Sequence, residues 1–412
     1  YLLKDPEDTA RVFKEAFYIA GTGRPGPVLI DIPMDVQKAV IDFEYPEKCE
    51  IRSYKPTTKG NYVQVRRVMA ALEEAEKPLI CIGGGVFAAH AENEIRELAD
   101  LMQIPVITTM MGISVFPDDD QLFCGMIGTH GVKMANAAVN ECDVLFLVGA
   151  RVGDRAVKTP LALEKTTKII HIDIDPAEIG KNIGADLPLV GDAKLVLQQM
   201  TELAKPMKHD EWIAHIKTLG GERKYVEPAK GTVNPRVFID RLAKKMPANV
   251  TVVADVGQNQ IWTCTEYKFR KEGRLLTSGG MGTMGYSVPA AIGAKMADNS
   301  RATVAICGDG AFQMSFMELA TAVQFGVDIK VVVMTNNRLG MVRELQTNGY
   351  HDRQTAVFLD GSPDFIKLAE AYGIPAMRVY DDDTMEKGIE MLAEHKGICL
   401  VEVVVDKDMP TL

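Results

Sequence analysis

The residues with the most distinctive chemistry in this sequence are Gly308-Asp309-Gly310 and, 27 positions after the aspartate, the pair Asn336-Asn337. A carboxylate and an amide oxygen, together with a diphosphate, are the hard oxygen ligands that suit an octahedral Mg²⁺. Glycines on both sides of the aspartate permit tight turns and leave room for phosphates. A lone GDG triplet is usually only a turn, so its interpretation depends on the segments around it.

Two buried strands joined by a helix are the elements that must position these residues. The apolar segment TVAIC leads into the GDG triplet, MSFMELATAVQFG has a helical pattern, and IKVVVMT ends at the asparagine pair. A right-handed βαβ crossover of this length places both strands in one parallel sheet, with their carboxyl ends at the same edge. Asp309 and one asparagine can therefore converge there. Two further strand ends, in TVVADVGQN and LLTSGGMGTMGY, belong to the same region.

Helices and strands also alternate from residue 61 onward. Helical patterns cover about 62–75 and 89–102, and the strand patterns are KPLICIGGGV, IPVITTM, DVLFLVGARV (143–152) and KIIHIDID (168–175). Continuous apolar strands that alternate with helices favour a doubly wound, mostly parallel sheet. The predicted fold is therefore α/β, with a central Rossmann-like domain and a C-terminal domain of this kind.

The central region contains two candidate ligand motifs. Gly83–Ala88 (GGGVFA) matches G-x-G-x-x-A, whose glycines let a backbone approach a diphosphate, but a tight turn without a ligand explains the pattern equally well. Asp173, Asp175 and Glu178 follow the last strand, where they can accept hydrogen bonds from a ribose or cap the next helix. The residues alone leave these alternatives open.

The composition is that of an ordinary globular protein with several domains. The chain has 412 residues, 47% of them hydrophobic, and its net charge of −10 disfavours non-specific binding to nucleic acid or anionic membranes. No apolar run approaches the roughly 20 residues that span a bilayer. Seven cysteines without a C-x-x-C pair indicate a reduced, cytoplasmic compartment. The seven histidines lack the spacing of zinc ligands.

The first residues have the pattern of the end of a domain. Residues 8–20 place Val12, Phe13, Ala16, Phe17 and Ala20 on one helical face, and PVLIDIP predicts a short strand ending at Pro33. One helix and one strand cannot bury their apolar faces alone, so we expect the beginning of that domain to be absent. The predicted boundaries are 1–36 for this remnant, 37–60 for a linker, 61–205 for the central domain, 206–231 for a second linker and 232–412 for the C-terminal domain.

GDGAF followed by NN resembles the signature of the thiamine-diphosphate enzymes, and the wider sequence resembles the large catalytic subunit of acetolactate synthase (acetohydroxyacid synthase). The resemblance runs through GRPGPVLIDIP, IGGGV, GTHGVKMANAAVNECDVLFLVGARVGDR, IHIDIDPAEIGKN, VGQNQIW, TSGGMGTMGY, GDGAFQM and LGMV. It implies a transferase of branched-chain amino-acid biosynthesis that uses thiamine diphosphate, Mg²⁺ and a structural FAD. Such an enzyme decarboxylates pyruvate and transfers the hydroxyethyl group to pyruvate or 2-oxobutyrate. It also implies a homodimer or homotetramer, with a regulatory small subunit as a further partner.

The resemblance also implies which residues form the sites. The Mg²⁺ ligands fall on Asp309, Asn336 and the main-chain carbonyl of Arg338, with Asn337 in place of Asn336 in an alternative alignment. Met284 resembles the apolar residue that holds thiamine diphosphate in its bent form. The substrate pocket contains Met341, Val342 and Leu345. The thiamine-diphosphate positions are Val256, Gly257, Gln258, Asn259, Gly282, Thr283, Met284, Gly308, Asp309, Gly310, Ala311, Asn336, Arg338, Leu339, Gly340 and Met341, and the FAD positions are Arg24, Gly83, Gly84, Thr129, His130, Gly131, Val132, Arg151, Asp173, Ile174, Glu178 and Asp192.

This sequence departs from the family in three places. Residues 151–155 are RVGDR where the family has RFDDR, Met34 replaces a lysine, and Leu345 replaces a tryptophan that shapes the preference for 2-oxobutyrate. The resemblance places the glutamate that activates the cofactor in an N-terminal domain outside these residues. No catalytic residue is therefore assigned, and we expect the 412 residues alone to be inactive.

Two alternative functions stay open at this point. One is another thiamine-diphosphate-dependent decarboxylase or carboligase of 2-oxoacids, and the other is a catalytically incomplete protein that binds a cofactor or a partner.

Among the remaining residues, Cys307 is expected to be a small buried hydrophobe rather than a nucleophile. Met314, Met317 and Met341 are expected to line the core or a pocket.

Overall fold

The computed structural model describes residues 1–221 and 225–412, and the chain divides into two compact units. The first unit contains Tyr1–Ile104, Glu141–Asp154 and Thr159–Asp210, and the second contains Pro105–Asn140, Arg155–Lys158 and Glu211–Leu412. Residues 222–224, which fall in the predicted linker 206–231, lie outside the described residues. Within the described ranges, no helix is both long enough and apolar enough to cross a bilayer.

The described residues form two six-stranded parallel sheets. The strands of the first sheet are β1 (Pro78–Ile82), β2 (Val106–Thr108), β3 (Phe123–Met126), β4 (Val144–Val148), β5 (Lys168–Asp173) and β6 (Leu187–Val190). Those of the second are β7 (Thr251–Ala254), β8 (Arg274–Thr277), β9 (Thr303–Gly308), β10 (Lys330–Thr335), β11 (Ala376–Val379) and β12 (Cys399–Val404). The first sheet has the order β3-β2-β1-β4-β5-β6 and the second β11-β12-β10-β9-β7-β8. The predicted α/β fold with two mostly parallel sheets is confirmed.

Helices connect these strands and cover the sheets. In chain order, the described helices are α1 (Thr9–Gly21), α2 (Met34–Lys38), α3 (Tyr62–Glu74), α4 (Gly85–Ala88), α5 (Glu92–Met102), α6 (Lys133–Glu141), α7 (Pro160–Leu163), α8 (Ala193–Thr201), α9 (Asp210–Thr218), α10 (Pro235–Lys245), α11 (Gln258–Glu266), α12 (Ser287–Ala297), α13 (Asp309–Ser315), α14 (Leu319–Gln324), α15 (Gly340–Gly349), α16 (Phe365–Ala371) and α17 (Asp382–Glu394). Short 3₁₀ turns cover Pro6–Asp8, Met110–Gly112 and Phe316–Glu318.

Side chains of the second sheet alternate between two apolar clusters. Val304 and Ile306 of β9 pack in one cluster with residues of α10 and α17, whereas Ala305 and Cys307 pack in the other with residues of α12 and α16. Cys307 is fully buried, as expected for a small hydrophobe, and burial raises its pKa well above the usual value. Because helices cover both faces, the interior positions of β9 and β10 are apolar.

The structure corrects two predictions for the first residues. PVLIDIP is not a strand, because its only bridge in the described structure joins Leu2 to Asp31 and a strand needs a continuous ladder. Phe17 is not on the buried face of α1 but is 71% exposed, since the buried residues of this helix are Ala10, Val12 and Ala16.

Further corrections concern where elements begin and end. The helix predicted over 89–102 begins at Glu92, because His90 has φ +51° and interrupts the helical path. The strand predicted over 143–152 ends at Val148, because Gly149 has φ +58° and turns the chain. The helix after the GDG triplet begins at Asp309 and ends at Ser315, where the 3₁₀ turn Phe316–Glu318 follows. Met314 on this helix and Met317 on the turn are each 55% exposed rather than in the core.

Glycines at the ends of β1 and β4 allow these two strand ends to approach closely. A Cβ atom on Gly83 would lie 2.1 Å from the Gly149 carbonyl oxygen and 2.5 Å from the Ala150 Cα. The Gly83 N–H donates to the Val148 carbonyl and the Gly85 N–H to the Gly149 carbonyl, each at 3.0 Å. Packing of backbone against backbone therefore accounts for the glycines of this motif at Gly83 and Gly85.

We expect Gly83→Ala to lower the free energy of unfolding by about 1–3 kcal/mol, because the added methyl group overlaps backbone atoms and forces them to shift. Gly21→Ala is the matched control, since a Cβ there meets no described heavy atom within 4 Å. Denaturant-induced unfolding of both variants and the wild type measures the difference. Equal stability of the two variants would contradict the packing role of Gly83.

Candidate functional site

The carboxylate of Asp309 lies at the junction of β9 and α13 and is only 2% exposed. Its Oδ1 accepts a hydrogen bond from the Gly310 N–H at 2.8 Å, and its Oδ2 accepts from the Asn336 and Asn337 N–H groups at 3.1 and 2.6 Å. Burial raises the pKa of Asp309 to about 6, although these backbone donors act in the opposite direction. A cation beside this desolvated carboxylate would stabilise its ionised form.

The two asparagines after β10 differ in what they do. Asn337 has φ +54°, a left-handed conformation that asparagine tolerates better than most residues. The Asn336 side chain lines a cavity, where its Nδ2 donates to Gln258 Oε1 at 3.2 Å and its Oδ1 accepts from the Arg338 N–H at 3.1 Å. Because β9 and β10 are neighbouring parallel strands, their carboxyl ends bring Asp309 and Asn336 together.

The cavity has a volume of about 130 Å³ and lies at the carboxyl ends of β7, β9 and β10. One water occupies roughly 30 Å³ in the liquid, so the cavity holds a group of several atoms. Helices α11, α13 and α15 begin at its wall, and the positive ends of their dipoles favour an anion. The strand order reverses between β7 and β9, which is where parallel sheets commonly bind ligands.

Most residues that the sequence suggested for thiamine diphosphate line this cavity. Gly282 and Thr283 lie instead in the turn before Met284, where the Thr283 N–H donates to Ser278 Oγ at 3.1 Å. The sequence did not single out Trp262 and Met334, which also contribute to the wall. The complete described lining is Val256, Gly257, Gln258, Asn259, Trp262, Met284, Gly308, Asp309, Gly310, Ala311, Met334, Asn336, Arg338, Leu339, Gly340, Met341 and Val342.

Of the three residues suggested for the substrate pocket, two line the cavity and one does not. Met341 and Val342, at the start of α15, line the cavity. Leu345 is 61% exposed and lies outside the described lining. The position at which the family has a tryptophan is therefore at the surface of the described chain.

Asp255 is a buried carboxylate that the sequence analysis missed. It is 0% exposed at the end of β7, and it accepts hydrogen bonds from the N–H groups of Val256, Gly285 and Ser287 at 2.8, 3.0 and 2.8 Å. These contacts fix the turn that carries Met284 against the strand end. The only signal in the sequence is an acidic residue directly after an apolar strand, in TVVADVG.

In the first unit, two of the positions suggested for FAD, Arg24 and Glu178, form an ion pair with each other. Arg24 donates to Glu178 at 2.7 Å and pairs with Asp175 at 3.3 Å. Burial alone would raise the pKa of Glu178, but its ion pairs with Arg24 and Lys181 leave that pKa below its usual value. The second carboxylate oxygen of Glu178 is buried without a hydrogen-bond partner among the described residues.

Other suggested FAD positions in this unit form turns and a helix cap. Asp173 accepts from the Asp175 N–H at 2.9 Å, and the residues after it form a turn rather than the helix that these acids could have capped. Asp192 caps α8 by accepting from the Leu195 N–H at 3.1 Å. The Arg151 carbonyl accepts from Asn182 Nδ2 at 2.7 Å, Gly84 directly precedes α4, and Ile174 directly follows β5.

In the second unit, the suggested FAD loop of residues 129–132 is a compact turn. The Gly131 N–H donates to the Gly128 carbonyl at 2.9 Å, and the Val132 N–H donates to the Met126 carbonyl at 2.8 Å. The Thr129 N–H donates to the Arg155 carbonyl at 2.9 Å. Burial and, to a smaller extent, the Arg155 charge lower the pKa of His130.

A cavity at the carboxyl ends of parallel strands, with a carboxylate–amide pair beside it, is the arrangement expected of a cofactor-binding α/β domain. The profile for the thiamine pyrophosphate enzyme C-terminal TPP binding domain matches residues 255–403, and that for the central domain of these enzymes matches residues 65–200. The chain belongs to the acetolactate synthase large-subunit family.

Three relatives illustrate this membership. The chain is 40% identical to a probable acetolactate synthase large subunit of Methanocaldococcus jannaschii, over 98% of this chain and 71% of the relative. It is 40% identical to an acetolactate synthase of Arthrospira platensis, over 99% and 72% of the two chains. It is 35% identical to the acetolactate synthase isozyme 3 large subunit of Escherichia coli, over 98% and 73%.

Gly340 lies against the polar side chains of the cavity, which leads to a test. A Cβ atom there would lie 1.9 Å from Gln258 Oε1 and 3.1 Å from Asn336 Nδ2. We therefore expect Gly340→Ala to displace both amides and to weaken the binding of thiamine diphosphate with Mg²⁺ by about 10–100-fold, as changes beside metal ligands typically do.

Gly349→Ala, at the other end of α15, is the matched control, because a Cβ there meets no described heavy atom within 4 Å. Calorimetric titration of each variant with the cofactor and Mg²⁺ provides the comparison. If both variants bind like the wild type, Gly340 has no part in shaping the site.

Proposed function

We propose that the protein is an acetolactate synthase that decarboxylates pyruvate and transfers the hydroxyethyl group to a second 2-oxoacid. With pyruvate as acceptor the product is 2-acetolactate, and with 2-oxobutyrate it is 2-aceto-2-hydroxybutyrate. The observation that carries the proposal is the meeting of Asp309 and Asn336 at a cavity bounded by the starts of three helices, in a chain of this family. Thiamine diphosphate, when bound, supplies the electron sink for the decarboxylation.

The residues at this strand edge fit a Mg²⁺ ion. Asp309 offers a carboxylate oxygen, Asn336 an amide oxygen and Arg338 a main-chain carbonyl, which together are a hard oxygen donor set. The raised pKa of the buried Asp309 supports this assignment, because a cation would offset the cost of keeping that carboxylate ionised. Asn336 is preferred to Asn337 because its side chain lines the cavity, whereas Asn337 forms the turn.

The rest of the cavity suits the cofactor's diphosphate and the apolar body next to it. Gly310 and Ala311 at the start of α13, with Val256 to Asn259 around the start of α11, would surround the diphosphate. Gly257 has φ +144°, a conformation open to glycine, so the chain can turn sharply there. Met284, held in place through the Asp255 contacts to its turn, would support the bent cofactor.

FAD is proposed as a structural cofactor, and residues of the first unit support this proposal. The buried, unpartnered oxygen of Glu178 among the described residues fits a hydroxyl donor of such a ligand, and Arg24 beside it fits a phosphate. Asp173, Arg151 and Asp192 lie at strand and helix ends of the same unit. Family membership supports this assignment.

Acceptor choice and partners complete the proposal. We keep both acceptors, since two substrates that differ by one methylene are distinguished by only about 1–3 kcal/mol even in a well-fitted pocket.

The names of the relatives in Methanocaldococcus jannaschii and Escherichia coli describe large subunits. We therefore propose a regulatory small subunit as a partner of this chain, together with assembly into a homodimer or homotetramer.

Product analysis tests the function directly. We expect the full-length native protein, and not the 412 residues alone, to form acetolactate and CO₂ when it is supplied with pyruvate, thiamine diphosphate, Mg²⁺ and FAD. Acetaldehyde as the main product would instead identify a related decarboxylase. Asp309→Ala is expected to abolish product formation and Mg²⁺-dependent binding of thiamine diphosphate, because it removes the charged ligand of the metal.

The control for Asp309→Ala is Asp383→Ala, which removes an exposed carboxylate on α17. Thermal unfolding establishes that both variants are folded. Cofactor binding by Asp309→Ala that equals wild-type binding in a calorimetric titration would overturn the metal assignment.

The flavin proposal has its own test. We expect the purified native protein to carry a visible flavin absorption band, and Glu178→Ala to lose flavin because it removes the buried oxygen acceptor. Glu202→Ala, on the turn after α8, is the matched control. A colourless wild-type protein that takes up no added FAD would contradict a flavin site.

A further inference from the structure

We propose that Glu344 is a positioning residue that fixes the orientation of two side-chain amides in succession, first Gln258 and then Asn336. The result is that the Asn336 oxygen, and not its nitrogen, is available to the proposed cation. This inference rests on the proposed function, because it concerns a proposed metal ligand. Glu344 lies on α15 outside the described lining of the cavity, and neither the sequence patterns nor the family resemblance singled it out.

The first link is the amide of Gln258, which is 4% exposed. Its Nε2 donates to Glu344 Oε2 at 3.2 Å, to the Met409 carbonyl at 2.9 Å and to Thr411 Oγ1 at 3.2 Å. A carboxylate and a carbonyl can only accept hydrogen bonds, and Thr411 Oγ1 gives its own hydrogen to Glu344. The Gln258 nitrogen must therefore face this group of acceptors.

The second link follows from the first. With its nitrogen held by Glu344, Gln258 presents Oε1 to the cavity, where it accepts from Asn336 Nδ2 at 3.2 Å. Asn336 must then direct its oxygen away from Gln258, and this oxygen accepts from the Arg338 N–H at 3.1 Å. Arg338 is also the residue whose carbonyl is proposed as a metal ligand. The polarity of Asn336 is thus set from Glu344 through one intervening side chain.

This control matters because the two ends of an amide have nearly the same shape and opposite chemistry. An amide oxygen can coordinate a cation, whereas an NH₂ group directed at the cation cannot. In the absence of a fixed partner, Asn336 could rotate its amide with little steric hindrance. Groups that orient a metal ligand from behind typically contribute 10–100-fold to metal affinity.

A simpler structural role must be separated from this one. Glu344 also accepts from the Thr411 N–H at 3.1 Å, so it could serve only to hold the segment Met409–Thr411. Removal of the Thr411 hydroxyl weakens that attachment but leaves Gln258 with two acceptors, Glu344 and the Met409 carbonyl. The two roles therefore predict different results for a change at Thr411.

The test measures Mn²⁺ binding to the native protein by electron paramagnetic resonance in the presence of saturating thiamine diphosphate. We expect Glu344→Met, which keeps the volume but removes the acceptors, to weaken Mn²⁺ binding by about 10–100-fold. Glu344→Gln keeps an acceptor oxygen and is expected to restore most of the affinity. The number of sites per protein counts the folded fraction, so the affinity stays measurable even if Glu344→Met is less stable.

Two controls complete the design. Glu390→Ala removes an exposed carboxylate on α17 and is expected to bind Mn²⁺ within about twofold of the wild type. Thr411→Val is expected to bind much more tightly than Glu344→Met. Equal weakening by these last two variants, or wild-type affinity in Glu344→Met, would overturn the positioning role while leaving the proposed function intact. A wild-type protein that binds no Mn²⁺ with the cofactor would overturn both.

Discussion

The hydrogen bonds from the Asn336 and Asn337 N–H groups to the Asp309 carboxylate join the ends of β9 and β10, and the rest of the candidate site depends on this junction. A carboxylate with so little exposure needs donors close by, because its ionised form loses most of its hydration. Backbone N–H groups supply them without a side chain that would fill the cavity. The site therefore keeps one buried negative charge, open space and the starts of three helices in one place.

Asp255 and Asp309 show how similar strand ends can have different roles. Each follows a buried strand, β7 or β9, and each accepts three backbone hydrogen bonds. Asp255 is completely buried outside the described lining, and its contacts fix the turn that carries Met284. Asp309 lines the cavity and can be reached by a ligand. One carboxylate therefore shapes the site, and the other is the better candidate to bind within it.

The sequence predicted features that depend on local spacing and missed those that depend on distant contacts. The separation of 27 residues between Asp309 and Asn336 matches one βαβ crossover, and the continuous apolar strands predicted two parallel sheets. Glu344 could not be recognised in this way, because its partners Gln258 and Thr411 lie more than 60 residues away in the sequence. Gly340 was named only through the family resemblance. PVLIDIP was mistaken for a strand because strand propensity does not specify a pairing partner.

Gly83 and Gly340 show why a glycine-rich strand end does not by itself indicate a ligand-binding site. Both glycines are required because a Cβ would collide with a neighbour, but the neighbours differ in kind. Gly83 faces the backbone of Gly149 and Ala150, so backbone packing alone accounts for a glycine at this position. Gly340 instead faces the side-chain amides of Gln258 and Asn336, which line the cavity, so a side chain at this position would disturb the groups that face a ligand. What the missing side chain would meet, rather than the glycine itself, distinguishes a binding site from a turn.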